Sequence, residues 1–112
     1  MEISHELKGV TLEEMKEMGA SFGIGMAIEL MKEERIRVAR RGWNGKDMFL
    51  AYQAGYPDGI PINKNTAEAT GIKEGTVCKF QPYIMMKTAD NTFVPWLASQ
   101  TDLLAEDYYI VE

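Results

Sequence analysis

The run Arg35-Ile36-Arg37-Val38-Ala39-Arg40, continued by Arg41-Gly42-Trp43-Asn44-Gly45-Lys46 and then by Met48-Phe49-Leu50-Ala51-Tyr52-Gln53, decides the fold. Its first part alternates, with Ile36 and Val38 inward and Arg35 and Arg37 outward, which is the period of a half-buried strand. Asn44-Gly45 is a hairpin signal, so residues 48–53 are expected to return as a second strand. Phe80 to Lys87 and Thr92 to Trp96 predict a further hairpin around Ala89-Asp90-Asn91, and Tyr108 to Val111 a closing strand. Strands outnumber helices and are joined by short connections. The expected class is α+β: a small antiparallel sheet with a helix packed on it near the N-terminus and short helices in the connections.

Upstream of the first strand, Ser21 is positioned to cap a helix running to about Glu34. Phe22, Met26 and Leu30 share one face, Ala27 and Met31 lie beside it, and Ile24 and Ile28 widen the apolar surface. A helix apolar over so much of its circumference is buried on several sides, which points to a subunit interface. Residues 1–20 read as an appended helical arm. Thr11 and Glu14 have capping-box spacing and Gly19 is a stop, giving a helix at 12–18 that docks through Met15 and Met18 or frays. Residues 21–112 then form one α+β domain, with 54–79, rich in Gly, Pro, Asn and Thr, as an inserted excursion. Within it Asn65 and Glu68 predict a single helical turn ending at Gly71. Ser99 and Asp102 form a second capping box, for a short helix late in the chain.

Composition removes whole classes of function. The 112 residues are 46% hydrophobic and 26% charged, with 12 basic against 17 acidic side chains and a net charge of −5, which excludes disordered, collagen-like and disulfide-scaffold chains. No run approaches the roughly 20 apolar residues needed to span a bilayer, and MEISHELKGV lacks the features of a signal peptide, so a cytoplasmic location is expected. The single cysteine, Cys78, and the single histidine, His5, leave no multi-cysteine or two-histidine metal spacing. Neither a metal nor a cofactor is expected. Acidity argues against binding a nucleic acid polymer. Residues 31–46 nevertheless concentrate Lys32, Arg35, Arg37, Arg40, Arg41 and Lys46, a strip that suits a few phosphates or a solvated strand face.

Catalysis has weak support. No Walker loop or nucleophile elbow is present, and Asp102, Glu106 and Asp107 are acids of a kind that more often cap helices or meet solvent. Binding has more. Trp43 stands between Gly42 and Gly45 with Asn44 beside it, and Trp96 lies next to Pro95 and the polar run Ser99-Gln100-Thr101-Asp102. Indoles beside amides, carboxylates and arginines offer what a nucleotide requires: stacking for the base, amides for its edge and cations for phosphate. An alternative stays open at this point. Both indoles also read as hinge packing, with Ser99 and Asp102 acting only as caps.

The segments Val38–Lys46, Met86–Asp90 and above all Val94-Pro95-Trp96-Leu97-Ala98-Ser99-Gln100-Thr101-Asp102-Leu103-Leu104-Ala105-Glu106-Asp107 resemble the phage and prophage sponges known as the second type of Thoeris anti-defence protein. The resemblance covers about residues 21–53 and 80–112. It implies a non-catalytic protein that sequesters cyclic ADP-ribose isomers made by a TIR enzyme, so that the effector of the defence stays off. It also implies a homotetramer with the nucleotide held between subunits, and some similar sponges take cyclic dinucleotides as well. By motif, Trp43, Asn44, Trp96, Ser99, Gln100 and Asp102 are placed at the ligand, with Phe49, Arg40 and Phe22 as further candidates. Three departures stand out: the arm at 1–20, the excursion at 54–79, and Tyr108 where relatives often carry tryptophan. The rivals are an enzyme cleaving the same nucleotide through Asp102 or Glu106, and an acidic protein-interaction module imitating DNA. The clustered bases at 35–46 count against the latter.

Overall fold

The structure, a computed structural model, describes residues 11–43 and 46–112. In chain order its elements are α1 (Leu12–Met18), α2 (Ile24–Glu34), β1 (Arg37–Arg40), a 3-10 turn at Arg41–Trp43, β2 (Phe49–Gln53), β3 (Tyr56–Pro61), α3 (Lys64–Thr70), β4 (Val77–Phe80), β5 (Tyr83–Lys87), β6 (Phe93–Pro95), α4 (Gln100–Leu104) and β7 (Tyr108–Val111). The α+β class is as expected. The chain forms two compact units, one of the described residues up to Tyr52 together with Ile84–Glu112, the other Gln53–Tyr83.

In the first unit five strands lie in the order β6-β5-β2-β1-β7. Val38 sits opposite Leu50 of β2 and opposite Ile110 of β7, both antiparallel, and Met86 opposite Val94 in the β5–β6 hairpin. Val38, Leu50 and Tyr108 are fully buried against Met26, Ala27, Leu30 and Met31 of α2, and Met15 of α1 joins the same cluster. Helix α1 therefore docks through Met15 while Met18 stays exposed, and Ile24 and Ile28 of α2 also pack against this core. Both capping boxes form: Thr11 with Glu14 on α1, ended by left-handed Gly19, and Ser99 with Asp102 on α4.

Two starts differ from the expected ones. Ser21 does not cap α2; the helix begins at Ile24 with Gly23 as its cap, because Phe22 is drawn into an extended bridge with Tyr108, each N–H donating to the other's carbonyl at 3.0 Å. The first strand begins at Arg37, not Arg35, since Arg35 takes a left-handed conformation (φ 55°) to end α2. The run expected as one strand from Phe80 to Lys87 is divided between β4 and β5. Pro82 lies at the break, where the missing N–H interrupts a ladder.

The second unit pairs β3 with β4 antiparallel, Ile60 opposite Cys78, with an irregularity between Tyr56 and Ile60. Its helix is capped by Asn63, which accepts from the Thr66 N–H at 2.9 Å, and not by Asn65; Gly71 ends it in the left-handed region as expected.

Candidate functional site

Register decides which side chains of the sheet are available. Side chains alternate across a strand, so once Val38, Leu50 and Ile110 face α2, their neighbours Arg37, Phe49, Tyr109 and Val111 face the other way. On β5, Ile84 and Met86 pack on the core, which turns Lys87 to that same outer face. These five residues, with Arg40, Trp43, Lys46, Asp47, Met48 and Glu112, line a cleft of about 330 Å³. Arg37 lies 5.1 Å and Lys87 5.9 Å from the centre of the Phe49 ring, and Arg41 4.6 Å from that of Tyr109. The cleft thus combines three aromatic rings with four cations and two carboxylates, in a chain whose overall charge is −5. A cleft of similar volume in the second unit, walled by Tyr56, Ile60, Pro61, Ile62, Asn63, Thr66 and Phe80, carries no charge.

The 3-10 turn that presents Trp43 is held from below. Arg40 donates through Nε to Asp107 Oδ1 at 2.9 Å and through Nη1 to Asp102 Oδ1 at 2.7 Å, with its side chain only 14% exposed. Asp107 Oδ2 accepts from the Gly42 N–H at 2.9 Å, and the Asp107 carbonyl from the Arg41 N–H at 3.0 Å. A β-carbon on Gly42 would stand 3.1 Å from Asp107 Oδ2, so a larger residue there presses on the clamp. Arg41 in turn bonds Ser21 Oγ at 2.7 Å and the Gly19 carbonyl at 2.6 Å, tying the end of α1 to the turn.

These contacts set the charge states. The hydrogen bond from Arg40 is the largest influence on Asp107 and holds its carboxyl below the usual range. For Asp102, burial works against ionisation. The N–H of Ser99, the Arg40 guanidinium and the Ser99 hydroxyl together outweigh it and lower the pKa. Arg40 is raised, first by its bond to Asp107. Tyr108, wholly buried, donates its phenol to the Asp102 carbonyl at 2.5 Å, and burial followed by the Asp102 charge pushes it up to about 12.

The residues singled out in the sequence are not gathered in one place within the chain. Trp43, Arg40 and Phe49 line the cationic cleft. Trp96 packs on the core and extends the β6 ladder beside β5, its backbone N–H donating to the Ile84 carbonyl at 2.9 Å. Ser99 and Asp102 are engaged in the α4 cap, Gln100 is exposed on its first turn, and Asp102 reaches the cleft's wall only through Arg40. Phe22 is a core residue, 5% exposed. Asn44 and His5 lie outside the described residues. Arg37, Lys87 and Tyr109 went unnamed as site residues in the sequence. Arg37 was signalled by strand alternation, but Lys87 and Tyr109 reach the cleft only through the strand order. Among the described residues no group of His, Cys, Asp and Glu is placed to hold a metal ion, and no helix is long and apolar enough to cross a membrane.

Comparison with known proteins agrees with the resemblance carried by the three quoted segments. The family model of the Thoeris anti-defense 2-like domain matches residues 22–111. A curated relative, Thoeris anti-defense 2 of Bacillus phage SP01, is 38% identical over 94 residues, covering 84% of this chain and 99% of the relative. The protein belongs to the Thoeris anti-defense 2-like family.

Proposed function

We propose that this protein works against Thoeris defence by stoichiometric capture, binding a cyclic ADP-ribose-type signal and holding it unchanged so that the effector is not switched on. The observation that carries the reading is the cationic aromatic cleft on an acidic member of an anti-defence family. Trp43, Phe49 and Tyr109 supply faces for a base, and the cations at its rim meet a pyrophosphate. Capture needs affinity well below the signalling concentration; nanomolar binding corresponds to about 12 kcal/mol, within reach of stacking combined with charge-assisted hydrogen bonds. Asp102, the candidate base for a cleaving enzyme, is committed to a cap and to Arg40 and is held ionised, which makes it a weak proton acceptor.

In this reading the protein acts in the host cytoplasm as a homo-oligomer, a tetramer by the family resemblance. Trp96, Ser99 and Gln100 of one subunit would then complete the cleft of another. Leu97 and Leu104, 92% and 77% exposed, are apolar surface that assembly would cover. Calorimetry with cyclic ADP-ribose isomers and cyclic dinucleotides, run beside sedimentation of the loaded protein, tests this. Tight binding of a cyclic ADP-ribose isomer by an oligomer supports it; no affinity for any cyclic nucleotide rejects it.

A further inference from the structure

We propose that Arg37 and Lys87, converging on the Phe49 ring, form the phosphate grip of the cleft, and that Arg40 is a positioning residue which does not touch the ligand. The choice of a nucleotide pyrophosphate as occupant rests on the capture reading above; the existence of an anion site does not.

Arg40 has no charge to spare. Two of its N–H groups are already given to Asp102 and Asp107, and the three groups together carry a net negative charge. A phosphate approaching that triad meets two carboxylates around one guanidinium. Arg37 and Lys87 differ. Among the described residues neither forms an ion pair, and Arg37 is exposed at the start of β1. Lys87 Nζ donates once, to the Asp47 carbonyl at 2.9 Å, which leaves two protons unassigned by that bond.

The two cations come from strands on either side of β2 and approach the same ring, at 5.1 and 5.9 Å from its centre. Attraction of each cation to the half-buried ring is weak, and the two like charges repel each other. An anion between them reverses the sign of that arrangement. The guanidinium fork suits two phosphate oxygens at once, and the ammonium serves as a point charge on a third. Lys46, on the same wall, adds to the field; Asp47 and Glu112 restrict where an anion can settle.

The test uses the full chain and two probes, inorganic pyrophosphate and cyclic ADP-ribose isomers. Amide shift mapping with pyrophosphate should move resonances around Arg37, Phe49 and Lys87. Arg37→Gln and Lys87→Gln, made singly and together and checked for fold by circular dichroism, should each weaken pyrophosphate and cyclic nucleotide binding roughly tenfold or more. The paired control Lys64→Gln with Lys73→Gln removes the same charge from the other unit and should leave both affinities unchanged. Arg37→Lys should restore part of the loss. Absence of shifts at these residues in the wild-type protein overturns the grip, as does wild-type affinity in the double variant. If pyrophosphate binds through the pair but no cyclic nucleotide does, the grip stands and the capture reading falls. If a cyclic nucleotide binds, Trp43→Ala weakens it and the glutamine variants do not, the grip falls and the capture reading stands.

Discussion

Arg40 Nη1 stands 2.7 Å from Asp102 Oδ1, so the end of β1 is fastened to the capping box of α4 across 62 positions of sequence. The same guanidinium holds Asp107, whose other oxygen takes the N–H of Gly42, one residue before Trp43. Two separate sequence motifs, each carrying a tryptophan, are thereby joined by one side chain.

Replacing Asp107 by alanine should loosen this clamp. Bonds to charged groups are worth about 1.5–3 kcal/mol, and with Asp107 partly exposed a loss of about 1–2 kcal/mol is expected. The sign with pH follows from the lowered pKa. An Asp held below its unfolded value stabilises the protein above that value and ceases to do so as pH falls through the folded one. The gap between wild type and Asp107→Ala in urea unfolding should be widest near neutral pH and should close as the solution is acidified below the ordinary carboxylate range. An equal gap at both ends would detach the effect from ionisation.

Tyr108 gives the opposite limb. Its phenol is buried and pushed up to about 12, so the neutral form is favoured in the fold. The stabilisation is complete below the unfolded value of about 10 and is lost as pH rises through 12. Tyr108→Phe keeps the ring and drops the bond to the Asp102 carbonyl. Thermal unfolding should show it less stable by about 1–2 kcal/mol at neutral pH, with a shallower decline in alkali.

Much of this was legible in the sequence, and the reasons are local. Thr11 with Glu14 and Ser99 with Asp102 announce their helices because capping is settled within four residues. The alternation at Arg37–Arg40 gives the strand and its outward arginine. What failed to show was settled by distant partners. Phe22 looks like a helix residue until Tyr108 bridges it, and Asp102 looks like a cap alone until Arg40 arrives. Lys87 is one lysine in a hairpin until the order β5-β2-β1 sets it beside Phe49 and Arg37. Turn signals announce the hairpins β1–β2 and β5–β6, but a chain read in order holds no sign of which strands become neighbours across longer connections.

In the second unit Gly55 has φ of +69°, and a β-carbon there would collide with the Phe80 carbonyl and stand 2.8 Å from that of Gln81. These are backbone atoms, which cannot swing aside. Gly55→Ala should cost about 1–3 kcal/mol. Hydrogen exchange should locate the loss at amides of β3 and β4, leaving β1 and β7 protected; uniform acceleration across both sets would contradict the prediction.

Trp43 and Trp96 should part company on substitution. Trp43→Ala is expected to weaken cyclic nucleotide binding by about 1–3 kcal/mol, the worth of a stacked base, with little change in unfolding midpoint. Trp96, packed on the core, should lower stability when truncated, whatever it does to the ligand. Calorimetry and denaturation on the same two samples separate the roles.

Capture without chemistry is tested most directly by release. The purified protein is incubated with a cyclic ADP-ribose isomer made by a TIR enzyme, freed of unbound nucleotide and heat-denatured, and the supernatant is chromatographed. Recovery of the intact cyclic molecule, in fixed proportion to protein, is the predicted result. A linearised product, or a supernatant without nucleotide, would contradict it.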